Sequence, residues 1–400
     1  MTNTNQQKID EILTRGVDEV IDKESLEKKL RSGKKLRVKL GIDPTSPNLH
    51  IGRAIPLLKL RDFQEAGHKI VLIIGDFTGV IGDTSDKESE RPMLDEKAVK
   101  QNMKTYVSQA GKILDIKKCE VRYNSEWLKK LNYAEIGLQA DIFSLAEFNA
   151  RENIRKRLDE GKRVSLRELL YPLMQGYDSV AVKADVEIGG TDQRFNLLAG
   201  RDLQKFYKQD PQDIITNLLI EGLDGRKMSS SWGNTVNLFD SADEMFGKIM
   251  SLKDEFIIKY FTFATRVDLQ KTSEYEKLLA VGENPRNIKS KLAKEIVRMY
   301  HGEKEAEKAE EEFNKIFRNK EMPSDMPVFE TAKKIYPILD LLFDAKLTPS
   351  KSEAKRLVEQ NAVEINKEKI TDWKKEISLE NEMVIKVGSR RFIKIIISLR

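Results

Sequence analysis

The chain holds one cysteine, Cys119, and three histidines in 400 residues. A single thiol excludes an internal disulfide framework and a thiolate metal cluster, and three histidines leave little material for a transition-metal centre. Long apolar runs are missing too. The longest, "IVLIIG" at 70–75 and "FIKIIISL" at 392–399, fall far short of the roughly 20 residues that a membrane-spanning helix requires. The opening "MTNTNQQKID" has neither the basic start nor the apolar segment of a secretory signal. Together these absences predict a soluble chain of a reducing, cytoplasmic compartment, with no membrane and no resident metal among its partners.

What is present is ordinary in amount and uneven in placement. With 40% hydrophobic and 34% charged residues, the chain can build two or three domains with a substantial core. The net charge is +5, and the segment 331–400 alone carries 15 Lys/Arg against 10 Asp/Glu. The whole excess therefore lies at the C-terminal end, as in a separate anion-binding or nucleic-acid-binding module beside a neutral body.

Periodicity suggests the architecture. Ile9, Ile12, Leu13, Val20 and Ile21 fall at roughly helical spacing and predict an opening helix. "KLRVKLGID" alternates like a strand, "IGRAIPLLKLRDFQEAG" has helical spacing ending at Gly67, and "HKIVLIIGD" is a buried strand. Strand, helix, strand in this span is a βαβ unit, which predicts a parallel sheet with helices on its faces. "CEVRYN", "ADVEIGGTDQ" and "DIITNLLI" continue as strands, "QADIFSLAEFNARENIRKRLDEG" as one long helix, and "EKEAEKAEEEFNKIF" as a solvated helix. "NKEMPSDMPVF" has the prolines and polar residues of a linker. In such sheets ligands bind at the carboxyl ends of the strands, so the loops there are the first place to look for chemistry.

Two of those loops suit phosphate. In "PTSPNLHIGRAIPL" at 44–57, His50 stands at the mouth of a helix. An imidazole donor there lies beside free backbone N–H groups and the positive end of the helix dipole. Thr45 adds a hydroxyl, Gly52 allows close approach of a flat ligand, and the prolines stiffen the loop. Far along the chain, "GRKMSSSWGN" sets Lys227 and three serines between glycines, a loop able to close on phosphates as charge develops. There is no serine–histidine–aspartate arrangement for a protein nucleophile.

The pair "HIGR" (50–53) and "KMSSS" (227–231) resembles the HIGH and KMSKS signatures of class I aminoacyl-tRNA synthetases. Between them, "YPLMQGYD" and "GGTDQ" resemble the amino-acid and ribose pockets of the tyrosyl-tRNA synthetases. "LTPSKSEAKRLVEQNAVEINKEKI" at 347–370 is similar to the S4 RNA-binding domain of the bacterial members. The resemblance runs in collinear order from about residue 30 to the end. It implies an α/β, Rossmann-like catalytic domain over 1–225, a KMSKS-like loop with an α-helical anticodon-stem-binding domain over 226–330, and a linker with a small α+β S4-like domain over 331–400.

Residue by residue, the resemblance implies that Thr45, His50, Lys87, Arg91 and Lys227 act on the ATP phosphates, Lys87 and Arg91 steadying pyrophosphate. Gly52, Arg53, Gly190, Asp192, Met228, Ser229 and Ser230 would bind the rest of ATP, with Asp192 on the ribose. Asp83, Tyr171 and Gln175 would take the ammonium of tyrosine, Asp178 its phenol, and Gln193 would position its carboxylate. Lys351, Lys355 and Arg356 would contact RNA phosphates. The implied partners are tRNA(Tyr), L-tyrosine, ATP with Mg2+ as substrate, and a second copy of the chain. Arg53 and Ser230 stand where the motifs usually have histidine and lysine, and Lys39 where some bacterial members have a tyrosine on the phenol, which places more weight on Asp178. The competing readings are a tryptophanyl-tRNA synthetase and an RNA-binding protein that has lost catalysis.

Overall fold

Six segments extend into one sheet: β1 (Val17–Ile21), β2 (Arg37–Ile42), β3 (Lys69–Ile74), β4 (Glu120–Tyr123), β5 (Val186–Gly190) and β6 (Asp213–Asn217), in the order β1-β6-β5-β2-β3-β4. Strands β2 to β6 pair in parallel, and β1 runs antiparallel along β6. The computed structural model describes residues 2–84, 93–317, 326–388 and 391–398. Strand β3 is apolar on both faces: Ile70, Val71, Leu72, Ile73 and Ile74 are all buried, as a parallel strand covered on two sides must be. Burying each such side chain contributes roughly 1.5–3 kcal/mol, which fixes the sheet as the rigid base of the site.

The helix Ile51–Glu65 crosses from β2 to β3 and packs on β2, β3 and β5. It stops where expected, with Gly67 at φ +90°, a conformation that costs glycine nothing. Because the chain steps from β2 to β3 and β4 on one side, then returns to place β5 on the other, the order reverses between β2 and β5. Such a reversal opens a crevice beyond the carboxyl ends of the strands. The loops after β2 and β5 carry "PTSPNLHIGR" and "GGTDQ" to that crevice.

Contacts divide the chain into two compact units, Met1–Glu310 and Glu311–Arg400. The first adds helices after the sheet, Ala242–Met250, Ile257–Ala264, Leu269–Ala280 and Pro285–His301. The second holds a five-stranded sheet made of β7 (Val328–Thr331), β9 (Val363–Ile365), β10 (Glu368–Lys369), β12 (Val384–Val387) and β13 (Arg391–Ile397), in the order β10-β9-β12-β13-β7. A two-stranded ribbon pairs β8 (Ile335–Pro337) with β11 (Glu376–Ser378), and the helices Ile338–Asp344 and Lys351–Glu359 complete the unit. Its core is its own, around Leu341, Leu342, Val358, Ile385 and Ile395. The fold is therefore mixed α/β with a parallel-sheet core and a small strand-rich C-terminal part.

Two local expectations are corrected. The opening helix ends at Thr14, and Val20 and Ile21 lie in β1; Gly16, at φ +64°, turns the chain out of the helix. The stretch 139–161 is not one helix. It is the end of Tyr133–Ala140, then Leu145–Asn149 and Glu152–Asp159. The break comes from chain chemistry: Ser144 accepts from the N–H of Glu147 while Glu147 bonds back to Ser144, a capping box that starts a new helix. Most of the linker-like "NKEMPSDMPVF" lies outside the described residues, and its last two residues belong to β7.

Candidate active site

The crevice is a cavity of about 530 Å³. Apart from Lys87 and Arg91, which lie outside the described residues, every catalytic, ATP-binding and tyrosine-binding candidate of the first unit lines it. Each group arrives from the carboxyl end of a strand or from one helix.

The loop after β2 brings His50, which caps the helix Ile51–Glu65: its Nδ1 accepts from the Arg53 N–H at 3.3 Å. That bond fixes the neutral tautomer, with the proton on Nε2. Burial, followed by the Arg53 and Lys227 cations, pushes the imidazole down to about 3. His50 is therefore a neutral donor through the physiological range. Gly52 is tightly enclosed, because a Cβ there would come within 3.1 Å of the His50 ring, and its N–H meets the Met228 sulfur at 3.3 Å. Arg53 donates to Thr45 Oγ1 at 2.9 Å, to Tyr106 Oη and to the Asp43 carbonyl. Its guanidinium braces the loop and leaves the Thr45 hydroxyl proton free to point into the cavity.

The second signature sits against the first. Val236 accepts from the Ile51 N–H and Leu238 donates to the Leu49 carbonyl, so "HIGR" is tied to the chain that leaves "KMSSS". Within that loop Asn234 is the organiser. Its Oδ1 accepts from the Ser229 N–H, and its Nδ2 donates to Asp224 and to the Lys227 carbonyl. Met228 is buried, and Ser229 and Ser231 share a hydroxyl bond. Lys227 reaches Asp192, from the loop after β5, at 2.9 Å.

Deeper in the cavity, Tyr171, Gln175 and Asp178 come from one face of the helix Leu166–Val182. Its start is firmly fixed: Ser165 and Glu168 form a capping box, and Glu168 makes a buried ion pair with Arg157 at 2.6 Å. Asp178 accepts from Trp127 Nε1 at 2.7 Å and from Asn124 Nδ2 at 3.4 Å. Burial, opposed by Lys39 and these two donors, pushes its carboxyl up to about 7. Gln193 donates to Asp83 at 2.7 Å, which joins two of the expected tyrosine ligands.

Around the Tyr171 and Asp178 side chains, sequence reasoning missed four residues. Asp43 accepts from Tyr171 Oη at 2.8 Å and from Thr78 Oγ1 at 2.7 Å, and burial pushes it up to about 6. Gly75 makes this possible, since a Cβ there would lie 2.0 Å from the Asp43 oxygen. Thr78 and Asn124 extend the network to Asp178, with a bond of 2.8 Å between them, and Trp127 closes it. The first of these had a signal: an aspartate at the end of a strand, before a proline, at the carboxyl side of the sheet. The other three depend on tertiary placement.

In the second unit, Lys351, Lys355 and Arg356 share the exposed helix Lys351–Glu359. Lys351 pairs with Asp340 at 2.7 Å, Arg356 with Glu353 at 2.5 Å, and Lys355 lies over the Trp373 ring at 4.2 Å. These contacts are on the surface, where water and salt screen them, so they leave the three cations open to an incoming anion.

Comparison with known proteins agrees with this geometry. The family model of the class I tRNA synthetases (W and Y) matches residues 31–318, and that of the tyrosine–tRNA ligase SYY-like C-terminal domain matches 319–393. The tyrosine–tRNA ligase of Thermotoga maritima is 48% identical over 386 residues, 96% of each chain. That of Carboxydothermus hydrogenoformans is 46% identical over 398 residues, 96% of this chain and 97% of its own. Among solved structures, a C-terminally truncated mitochondrial tyrosyl-tRNA synthetase of Aspergillus nidulans has a TM-score of 0.67 at 20% identity, covering 78% of this chain and 95% of its own. The Archaeoglobus fulgidus tyrosyl-tRNA synthetase, complexed with L-tyrosine, has a TM-score of 0.61 at 22% identity, covering 76% and 99%. With its two signatures joined at the sheet's switch point, the chain belongs to the class I tRNA synthetases of the W and Y family.

Proposed function

We propose that the site performs the reaction of a tyrosine–tRNA ligase. The tyrosine carboxylate attacks the α-phosphorus of ATP, a carboxylate–phosphorus bond forms, and pyrophosphate leaves. The 3′-terminal ribose hydroxyl of tRNA(Tyr) then takes the tyrosyl group and releases AMP. The observation that carries this reading is Asp178: a carboxylate that can only accept when ionised, buried at the end of the cavity, gives a phenol hydroxyl a partner that an apolar ring would leave unpaired, and the relatives at 48% and 46% identity, both tyrosine–tRNA ligases, favour a phenol over an indole.

The other roles follow from placement. Asp83, Tyr171 and Gln175 offer oxygens to the substrate ammonium, and Gln193 steadies Asp83 and approaches the carboxylate. Thr45 Oγ1, His50 Nε2–H and Lys227 meet the oxygens of the pentacoordinate transition state, so the protein supplies position and charge without a nucleophile. Lys87 and Arg91 act on departing pyrophosphate. Gly52, Gly190, Met228, Ser229 and Ser230 receive adenine, ribose and phosphates, with Asp192 on the ribose hydroxyls and Arg53 acting by holding Thr45. Magnesium enters with ATP, on phosphate oxygens and water, as part of the substrate.

The helices over 226–330 would take the anticodon stem, and 331–400, through Lys351, Lys355 and Arg356, would hold RNA phosphates. The chain would work as a cytoplasmic homodimer with tRNA bridging its copies. Support for the dimer lies in the exposed apolar side chains over 133–166, among them Tyr133 (94% exposed), Leu145 (64%) and Leu166 (78%). No helix among the described residues is long and apolar enough to cross a membrane. The test is charging: the full chain should attach tyrosine to tRNA(Tyr). A chain ending at residue 318 should keep adenylate formation and lose most charging. Equal loss of both steps would assign the C-terminal unit a structural role instead.

A further inference from the structure

Behind the tyrosine-ligand helix lies an ion pair that the reaction does not use. Lys39 on β2 and Glu187 on β5 are 0% and 1% exposed, with Nζ 2.9 Å from Oε1. Lys39 also donates to Ser179 Oγ at 2.6 Å and to the Gln175 carbonyl at 3.2 Å, while Glu187 accepts from Ser179 and Gln212. A buried pair of this kind seldom adds net stability over an apolar replacement, so its presence calls for another reason.

That reason is the Gln175 side chain. Its Nε2 donates to Glu187 Oε1 at 3.3 Å. A carboxylate accepts and does not donate, so Glu187 selects the nitrogen edge of the amide and leaves Oε1 to the cavity that Gln175 lines. An ammonium ligand needs that oxygen; a flipped amide would present N–H groups to a cation. Lys39 neutralises Glu187 and holds the Gln175 backbone from the same side. We infer that Lys39 and Glu187 are positioning residues that fix the Gln175 amide with its oxygen toward the substrate ammonium.

This inference rests on the proposed tyrosine pocket, and the experiment separates the two. Tyramine, which keeps the ammonium, and 3-(4-hydroxyphenyl)propanoate, which lacks it, are titrated as competitors of tyrosine in the full chain. The Lys39→Met/Glu187→Gln double variant removes both charges together and leaves two amides with no preferred orientation. Tyramine should bind at least 5-fold more weakly to it than to wild type, with the propanoate changed less than 2-fold and kcat for pyrophosphate exchange at saturating tyrosine nearly kept. Equal weakening of both competitors, or no change in either, overturns the role. Glu187→Asp keeps a charge beside Lys39 while withdrawing it from Gln175, and serves if the double variant does not fold. The same selectivity, smaller in size, is expected, and an unselective effect again overturns the role. Failure of the wild type to bind tyrosine would instead overturn the pocket itself.

Discussion

The Lys227 ammonium lies 2.9 Å from the Asp192 carboxylate, so the cation of one signature and the expected ribose acceptor of another neutralise each other across the mouth of the cavity. Their side chains are 34% and 21% exposed, and a pair this wet costs about 1 kcal/mol or less to break. On the proposed reading ATP would separate them at little cost, with Asp192 released to the ribose and Lys227 to the phosphates. Lys227→Met should lower kcat for pyrophosphate exchange by about 10²- to 10³-fold, as removal of one transition-state donor does, and leave tyrosine binding within 2-fold. An equal loss of tyrosine affinity would show that Lys227 shapes the pocket rather than the reaction.

Asp178 couples function to stability with a definite sign. Its carboxyl is raised to about 7 from 3.8, so the stability linked to its protonation is full below pH 3.8 and lost as pH rises through 7. Asp178→Asn, which carries no charge, should be more resistant to urea than wild type at pH 8, by on the order of 2–4 kcal/mol. That advantage should shrink toward pH 4. The same variant should raise the KM for tyrosine roughly 10- to 100-fold, the worth of a hydrogen bond to a charged group. Urea unfolding at two pH values and exchange kinetics read both effects.

His50 gives the opposite expectation for pH. Burial, then Arg53 and Lys227, hold it at about 3 against an ordinary 6.5, so the stability it lends is present above 6.5 and is lost only as pH falls toward 3. The kcat profile between pH 6 and 9 should contain no limb that His50→Asn removes. Asparagine is a good N-cap and keeps a donor, so this variant should lose about 10-fold in rate. His50→Ala, lacking both, should lose a further 10-fold or more.

Asn234 holds the "KMSSS" loop through the Ser229 N–H and the Lys227 carbonyl. Asn234→Ala should raise the KM for ATP and lower kcat by about 10-fold or more, with tyrosine binding, read by fluorescence titration, unchanged.

Much of this site was legible from local pattern. His50 before an apolar helical run, Lys227 among serines and glycines, and Tyr171, Gln175 and Asp178 on one helical face are all signals within a few residues of each other. Their meeting was legible only through the rule that strand ends converge. Asn124 and Trp127 were not legible: each sits in a polar stretch after β4 and gains its role by reaching Asp178, more than 50 residues away. Lys39 showed as a departure from a motif, but its partner Glu187 comes from a strand that is its neighbour only in the sheet. The error at 139–161 was different, because the apolar stripe continues across breaks that the Ser144–Glu147 capping box announces in the sequence.

The salt dependence of RNA binding tests the second unit. Replacing Lys351, Lys355 and Arg356 by alanine should weaken tRNA binding and reduce the slope of log K against log salt by up to about three. Tyrosine-dependent exchange should be untouched.

Pyrophosphate exchange into ATP with the purified full chain, each amino acid supplied alone, reads directly whether the site activates tyrosine. Exchange that depends on tyrosine and is absent with tryptophan is the expected result. Exchange supported by tryptophan instead, or by neither amino acid in a folded protein that still binds tRNA, would mean that the site is not a tyrosine-activating one.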